Sequence, residues 1–519
     1  MKKTWLLLSS VLLFAVAVPA FYTTPAFAED NYKSEFRVAL AGFGDVPTLD
    51  PARAATAAPV LIGWQVYQRL IDVTPNGNIA PMLATHWSSN PEMTVWRFSL
   101  RKNVFFHSSP GKKPRKLTTA DVKASIERAL RAPGYGRSVI GDLVKGAKEF
   151  IEEKAKTVAG ITINNGDIVF TLTRPFAFFP ERLASSFFAI LPADTEMEDM
   201  NPPGTGPYQI MKWDRLTGKV TLKLNSKNWI KVSAQSPQRL TFQIFESEPL
   251  AVEELRAGNI DWLEASSSAR RLVTEGLDPE RYTINTPVYN DIRIIAINQT
   301  INRFTKYREI AAALNFAVNR DRIVQVLGGG KVVGGPIPSG DYEHYGYWTD
   351  THLARLIVKS LPTEARHIEL LVQPGTESRL IAELVAEDWR GIGMKVSLKQ
   401  GMSDFFDRVV RGDYQAALGY FGPFIDTPEQ YLWPYQITAK PVPNVMSYES
   451  PSFQEAYQHY VSEPDPSKRL IHLQLALDIL LRDAPMIWLV KAPHIVASKR
   501  AFSVPRTGGM PLFFKLVSN

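Results

Sequence analysis

One stretch of the chain places aromatic and acidic side chains directly after an apolar run. Residues 414–421 read as a buried strand, and Gly422 and Pro423 end that strand and force a loop. Ligands of open α/β sheets bind at the carboxyl ends of the strands, so we expect the side chains at this end to line a cleft. The candidates are Tyr420, Phe421, Phe424, Asp426 and Tyr431.

These side chains suit binding better than catalysis. Aromatic rings pack well on the flat or apolar faces of a small molecule. No pair of nucleophile and general base stands around Tyr420, and acyl transfer would need such a pair. The alternative is that the rings belong to the core, which we expect of about half of them or more.

Motifs of common enzyme classes are missing from the sequence. It contains no nucleophile elbow, no zinc-protease motif, no Walker loop and no dinucleotide fingerprint. Gly328-Gly-Gly-Lys331 resembles a phosphate loop, but Val332 stands where Ser or Thr is required. His344 and His352 are the closest of eight dispersed histidines; they suit surface or packed positions better than a metal or metallophore site. We therefore predict a non-enzymatic protein without metal or cofactor.

The composition is that of an ordinary globular protein. Of 519 residues, 45% are hydrophobic and 21% are charged, and this length favours two or three lobes over one. The absence of cysteine excludes disulfides, thiolate metal sites, cysteine nucleophiles and a lipid anchor on cysteine. The formal charge of +7 comes from scattered Lys and Arg, which indicates a mildly basic surface and not a nucleic-acid partner.

The first 28 residues have the pattern of a secretory signal peptide. Lys2 and Lys3 precede an apolar run that ends at Pro19, and Ala26-Phe27-Ala28 provides the small residues of a cleavage site. A membrane anchor is the alternative, but this run is too short to span a bilayer. We expect a mature protein that starts at Glu29, is free in the periplasm and carries no lipid anchor.

The remaining pattern predicts an α/β fold. Residues 71–189 read as a small α+β unit, with a capping signature at Thr118–Asp121 and a hairpin turn at Asn165-Gly166. We place a loop over 52–59 followed by a helix with Trp64, Tyr67 and Leu70. Residues 368–398 predict a β-α-β unit, and we expect Ser403 to cap the helix that follows it.

Many short motifs, each weak alone, occur in an order and spacing that is specific. They include Leu49-Asp-Pro51, Ile79–Ala84 with Trp87, Trp96–Arg101, Leu117–Val122, Gly204–Tyr208, Asn225 with Trp229, Ala257–Asp261, Ala296-Ile-Asn298, Ala317–Asp321, Gly391–Val396 and Ala484-Pro485. In these motifs, almost from end to end, the chain resembles the bacterial extracellular solute-binding proteins of peptide- and nickel-type ABC importers.

The resemblance implies a two-lobed periplasmic-binding-protein type II fold with an additional small α+β domain. Lobe I would be discontinuous, over 29–70, 190–286 and 491–519. The additional domain would cover 71–189 and lobe II 287–490. The lobes would hinge where the chain crosses between them, near 286–290 and near Val490, and would enclose the ligand.

The resemblance also suggests individual site residues. Tyr420 matches an aromatic residue that lines the pocket of the peptide binders, and Tyr135 falls near a pocket tyrosine. Thr56, Ala57 and Ala58 match a segment of the first lobe that contacts the ligand backbone. Peptide binders carry an aspartate shortly after the aromatic residue, where this chain has Pro423; Asp426 is the nearest acid that can replace it.

The resulting prediction is a monomeric periplasmic receptor that captures a peptide or peptide-like molecule and delivers it to the permease of an ABC importer. A non-peptide ligand is the alternative: an oligosaccharide, an opine-like compound or a metallophore. Two further interpretations are a secreted α/β hydrolase and a receptor whose partner is a sensor protein or envelope chaperone.

Overall fold

The computed structural model describes residues 34–54, 56–74, 77–108, 114–132, 135–245, 247–423, 425–499, 502–507 and 510–518. The predicted signal peptide and Phe424 lie outside these ranges. Strands in the described part are β1 (Glu35–Ala41), β2 (Ile71–Val73), β3 (Ile79–Pro81), β4 (Ala84–Ser89), β5 (Val95–Leu100), β6 (Ile161–Asn164), β7 (Asp167–Thr171), β8 (Tyr208–Trp213), β9 (Val220–Leu224), β10 (Arg239–Phe245), β11 (Trp262–Ala265), β12 (Tyr282–Asn285), β13 (Ile292–Ile297), β14 (Lys331–Val332), β15 (His367–Val372), β16 (Lys395–Gln400), β17 (Ala416–Phe421), β18 (Met486–Lys491), β19 (Ile495–Lys499), β20 (Phe502–Ser503), β21 (Arg506–Thr507), β22 (Met510–Pro511) and β23 (Val517–Ser518).

Helices connect these strands and cover the sheets. In the same ranges they are α1 (Ala57–Val66), α2 (Thr119–Arg131), α3 (Tyr135–Ile140), α4 (Ala147–Ile151), α5 (Phe179–Leu183), α6 (Glu248–Arg256), α7 (Arg270–Gly276), α8 (Asn302–Lys306), α9 (Glu309–Ala317), α10 (Arg320–Leu327), α11 (Thr351–Ser360), α12 (Thr376–Gly391), α13 (Phe405–Arg411), α14 (Pro428–Leu432), α15 (Pro451–Ser462) and α16 (Pro466–Asp483).

A seven-stranded mixed sheet carries the first core. Its strand order is β12-β19-β11-β1-β10-β9-β8, with β1 parallel to both β10 and β11. Residues 36–41 are apolar except for Arg37, as expected of a strand covered on both faces. Strands from three separate parts of the sequence thus form one sheet.

A six-stranded mixed sheet carries the second core. Its order is β14-β18-β13-β17-β15-β16. Strands β15 and β16 are parallel neighbours joined by α12, so the predicted β-α-β unit is confirmed. Strand β17 lies parallel to β15 and antiparallel to β13 and ends at Phe421, directly before Gly422 and Pro423.

The small unit contains a four-stranded antiparallel sheet of order β4-β5-β7-β6. Asn165 and Gly166 turn β6 into β7 with φ values of 52° and 85°, which confirms the predicted hairpin. At the start of α2, the Thr118 N–H donates to the Asp121 carboxylate at 2.8 Å, as the capping signature predicts. Local sequence signals are reliable in this unit.

The chain passes between the two large sheets twice. One passage, 286–291, connects β12 to β13, and the other, 492–494, connects β18 to β19. A β-bridge between Val288 and Pro493 pairs the two passages, and the His494 N–H donates to the Pro287 carbonyl at 2.8 Å. The lobe boundaries given above and the hinge motion stay predictions.

Two local predictions were wrong. Helix α1 begins at Ala57 and ends at Val66, so it includes part of the predicted loop and excludes Tyr67 and Leu70. Pro59 is the third residue of α1, and proline is tolerated in a first turn because no N–H is needed there. Ser403 does not cap α13: the helix starts at Phe405 and Asp404 precedes it.

Candidate functional site

Strand β17, an interior strand of the second sheet, carries Tyr420 next to its carboxyl end. The side chain is 55% exposed although residues 416–418 of the same strand are buried. Tyr420 is the register partner of Arg293 on β13, and the guanidinium lies 5.8 Å from the centre of its ring. An exposed ring beside a cation offers a flat surface to a ligand.

Phe421 belongs partly to the core. Its ring meets that of Tyr431 edge-on at 6.3 Å between centres, and it packs against the large apolar cluster that the small unit shares with one face of the second sheet. Tyr431 itself is buried. The expectation that several of these rings are structural therefore applies to Tyr431 and, in part, to Phe421.

Asp426 lies near the end of the loop between β17 and α14, two residues before the helix begins. One carboxylate oxygen, Oδ1, accepts hydrogen bonds from the Ser339 and Tyr431 hydroxyls, both at 2.8 Å. Burial and the Asp426 carboxylate raise the pKa of Tyr431, which keeps that hydroxyl a donor. The turn between β2 and β3 comes close: a Cβ atom on Gly77 would lie 3.4 Å from Cβ of Asp426. Asp426 is thus held in a defined position where the small unit meets the second sheet.

The segment with Thr56, Ala57 and Ala58 forms the start of α1, away from the Asp426 loop in sequence. The Thr56 hydroxyl donates to the Asp45 carbonyl at 2.9 Å, and the Ala58 N–H donates to the Phe43 carbonyl at 3.2 Å. Ala58 is buried, while Thr56 and Ala57 are partly exposed. Their role as ligand contacts stays a prediction.

Tyr135 is the first residue of α3, and its side chain is not among the described features. Helix α3 packs against the 3₁₀ turn Ile437–Ala439, which follows α14. The helix therefore lies where the small unit meets the second sheet, and the tyrosine stays a predicted contact.

Sequence reasoning missed a charged network between the two large sheets. The Arg293 guanidinium donates from Nε to Glu377 at 2.5 Å and also pairs with Asp291. From the first sheet's side, the Ser267 N–H donates to the Glu377 carboxylate at 3.2 Å, and its hydroxyl binds the same oxygen. Glu377 thus joins the two halves of the molecule through buried hydrogen bonds.

The network continues through His494 in the second passage. Its Nε2 lies 3.4 Å from Asp291 and its Nδ1 lies 3.7 Å from Glu264. Burial by itself lowers the pKa of His494, but the Asp291 and Glu264 carboxylates outweigh it and raise the pKa above its usual value. Burial works against the charge on Asp291, yet Arg293 and His494 lower the pKa of that carboxyl. Arg506 binds both Glu264 oxygens, at 2.9 and 3.0 Å.

A second missed contact joins the small unit to the second sheet's helices. Arg182 of α5 forms a buried ion pair with Glu429 of α14, and its guanidinium lies 4.3 Å from the Trp433 ring. The Tyr457 hydroxyl donates to Glu429 at 2.6 Å. The Ala177 N–H also donates to a carbonyl of α15 at 2.8 Å.

No local motif announces either contact. Arg182 and Glu429 are 247 residues apart, and Arg293 and Glu377 are 84 residues apart. Arg293 gives one local signal, because it is the polar residue of the otherwise apolar run 292–297, and a buried ion pair explains its presence there.

Metal-binding clusters and membrane-spanning helices are both absent from the described ranges. No group of three or more His, Asp or Glu side chains there is arranged to hold a metal ion. In the same ranges, no helix is both long enough and apolar enough to cross a lipid bilayer. A cavity of about 530 Å³ opens beside α10 and β14, and Lys331, Glu343 and Trp348 are among the residues that line it.

The chain is similar to known periplasmic binding proteins, both in sequence and in fold. The chain is 23% identical over 486 residues to the probable D,D-dipeptide-binding periplasmic protein DdpA of Escherichia coli (strain K12), covering 88% of each chain. Its fold matches the periplasmic binding protein DppA of Helicobacter pylori in complex with the peptide STSA, with a TM-score of 0.80, 20% identity and coverage of 94% and 99%.

A third relative is the Campylobacter jejuni protein NikZ in complex with Ni(L-His), with a TM-score of 0.75, 19% identity and coverage of 93% and 97%. These folds confirm the predicted periplasmic-binding-protein architecture. The profile of the bacterial extracellular solute-binding proteins, family 5 (middle region), matches residues 78–442. The chain belongs to the bacterial extracellular solute-binding proteins of family 5.

Proposed function

We propose that this protein is the periplasmic receptor of an ABC importer and that its solute is a peptide or a peptide-like molecule. It holds the solute between its two lobes and releases it unchanged to a membrane permease, without enzymatic turnover. It acts as a monomer, reaches the periplasm through a cleavable signal peptide and carries no lipid anchor.

The observation that carries this proposal is that Tyr420 and Asp426 both lie at the carboxyl end of β17, Tyr420 within the strand and Asp426 in the loop that follows it. Tyr420 is exposed where its strand is otherwise buried, and Asp426 is fixed by two hydroxyl donors. A ring and a fixed carboxylate are what a peptide's backbone plane and cationic amine require. Relatives named for dipeptides and other peptides point to the same solute class.

The hinge segments support a clamp mechanism. Among the described residues, two short passages connect the large sheets, so the lobes can rotate about them without breaking a strand. The solute then shifts the population toward the enclosed state by its preference for that state. An oligosaccharide, an opine-like compound or a metallophore is the second class of solute, but no contact described above favours one of them over a peptide.

The direct test of solute class is mass spectrometry of small molecules that co-purify with the native protein from its own envelope. We expect peptides or peptide-like compounds at about one per protein. Recovery of an unrelated class, such as a sugar, would contradict the proposal, and so would cleavage of the bound peptide during incubation.

Variants at the site test the two residue roles. Asp426→Asn keeps an oxygen acceptor for Ser339 and Tyr431 but removes the charge, so affinity for peptides with a free α-amine should fall by about 1.5–3 kcal/mol. The matched control is Asp404→Asn, an exposed aspartate of the same lobe without a side-chain cap bond. Calorimetric titration that gives both variants wild-type affinity would remove Asp426 from the site.

Tyr420→Ala separates binding from packing. Because the ring is half exposed, its loss should reduce affinity while the melting temperature stays near that of the wild type. A large loss of melting temperature in the ligand-free protein would instead make Tyr420 a core residue.

A further inference from the structure

Lys491 is a buried cation at the end of β18, where the chain leaves the second sheet for the first. The residue is 6% exposed. Its ammonium makes one hydrogen bond to the described residues, to Oδ1 of Asn290 at 3.1 Å. In the same ranges no carboxylate lies within 4.0 Å of it. An ammonium has three donors and prefers an anion when it is buried, so this environment is incomplete.

The other buried cations of the described residues differ from Lys491. Five arginines have a carboxylate partner: Arg69, Arg128, Arg182, Arg293 and Arg408. Arg320 has none, but its guanidinium donates to backbone and amide oxygens of Asn315, Val318, Val333 and Trp488. Lys491 alone has a single neutral partner, which makes its burial costly to the protein by itself.

The position of Lys491 connects it with the candidate site. Burial lowers the pKa of its ammonium, and among the charges that oppose this effect the Asp426 carboxylate is the largest. Its hydrogen-bond partner, Asn290, belongs to the first passage between the sheets. Val490, the residue before Lys491, is the register partner of Arg293, and Arg293 is the register partner of Tyr420. Lys491 therefore lies at the Tyr420 end of the second sheet, next to the first passage.

We propose that Lys491 binds an anionic group of the solute, a carboxylate in a peptide-like solute, and that the site selects solutes that carry one. The inference rests on the proposed function and specifies the solute further. Asp426 would bind a cationic group and Lys491 an anionic group, so a zwitterionic solute can pair with both side chains. Its carboxylate would then be the anionic partner that Lys491 lacks among the described residues.

The test uses matched pairs of neutral di- and tripeptides, each with a free C-terminal carboxylate or as the C-terminal amide. Thermal shift finds the peptides that bind, and calorimetric titration measures each pair on the wild type, Lys491→Met, Lys491→Arg and Lys331→Met. Lys331 is the control because it is the cross-strand neighbour of Lys491, is exposed, and already pairs with Glu343 at 3.2 Å.

We expect the wild type and Lys331→Met to bind the peptide with the free carboxylate about 10- to 100-fold more tightly than its amide, because a hydrogen bond between charged groups contributes an affinity of about that size. Lys491→Met should bind the two members within about twofold of each other, and Lys491→Arg should retain part of the preference. This ratio distinguishes a binding role from a structural one, because a folding defect weakens both members equally.

Two results would overturn the inference in distinguishable ways. If the wild type binds acid and amide equally, Lys491 does not recognise a carboxylate, while the proposed peptide receptor stands. If no peptide of the panel binds the wild type, the peptide class itself fails and the carboxylate assignment fails with it.

Discussion

Two buried cations, Arg182 and Lys491, lie where different parts of this chain meet, and their surroundings differ. Arg182 has a buried carboxylate, a tyrosine hydroxyl at 3.2 Å and an aromatic ring around its guanidinium. Lys491 has one amide oxygen. A charge that the protein itself neutralises holds the fold together, whereas a charge left with one neutral partner is available to a ligand.

The contrast extends to the environment of each charge. The Arg182 pair lies among aromatic side chains of α15 and the small unit; Phe178 and Tyr460, for example, lie 5.1 Å apart between ring centres. Lys491 lies beside the polar passages between the sheets, where Asn290, Asp291 and His494 are neighbours in a charged network. Apolar packing fixes the first contact, and polar groups that can exchange partners surround the second.

The largest expected effect is on the Arg182 side of the comparison. Arg182→Met leaves Glu429 as a buried carboxylate without its cation, and we expect a loss of about 3–5 kcal/mol in the free energy of unfolding, measured by urea denaturation. The control is Arg174→Met, which breaks a partly exposed pair with Asp142 and should cost about 1 kcal/mol or less. Equal losses in the two variants would contradict a structural role for the buried pair.

Glu181, next to Arg182 in sequence, gives this contact a pH dependence. Burial raises the pKa of Glu181 from 4.5 to about 7, with Glu429 adding to the increase, and its Oε2 has no hydrogen-bond partner among the described residues. The folded protein therefore holds this proton more tightly than the unfolded chain. Its stabilising contribution is complete below pH 4.5 and is lost as the pH rises to about 7.

Glu181→Gln should remove this dependence. We expect the wild type to lose up to about 3 kcal/mol of unfolding free energy between pH 4.5 and 7 relative to the variant, measured as urea midpoints at several pH values. Parallel pH profiles of the two proteins would show that Glu181 titrates normally in the folded state.

The smallest expected effect has the opposite sign. Without solute, Lys491→Met replaces a poorly compensated buried charge by an apolar side chain of similar length, so it should stabilise the protein by about 1 kcal/mol. The measurement is the urea midpoint after bound solute has been removed by unfolding and refolding. A loss of stability as large as that of Arg182→Met would show that Lys491 stabilises the fold as Arg182 does, and would contradict the difference proposed between the two cations.

Local sequence signals predicted the elements around both sites. The Asn165-Gly166 turn, the cap of α2, the β-α-β unit and the end of β17 at Gly422 are confirmed. The two wrong predictions were also local. The alanine-rich segment with Pro59 was predicted as a loop, but α1 begins within it. Ser403 was predicted to cap the next helix, but α13 begins one residue later than a cap at Ser403 would place it.

The sequence by itself predicted the family and the two-lobed fold, through the resemblance of its ordered short motifs to known solute-binding proteins. It also predicted the α/β pattern and the placement of Tyr420 at a strand end, because turns, caps and apolar periods act over a few residues. The pairing of charges was decided only by the tertiary structure. Lys491 and Asn290 are 201 residues apart, and no periodicity reports which buried cation receives a carboxylate and which does not. That difference depends on how separate elements pack, since burial, which makes an unpaired charge costly, exists only in the folded molecule.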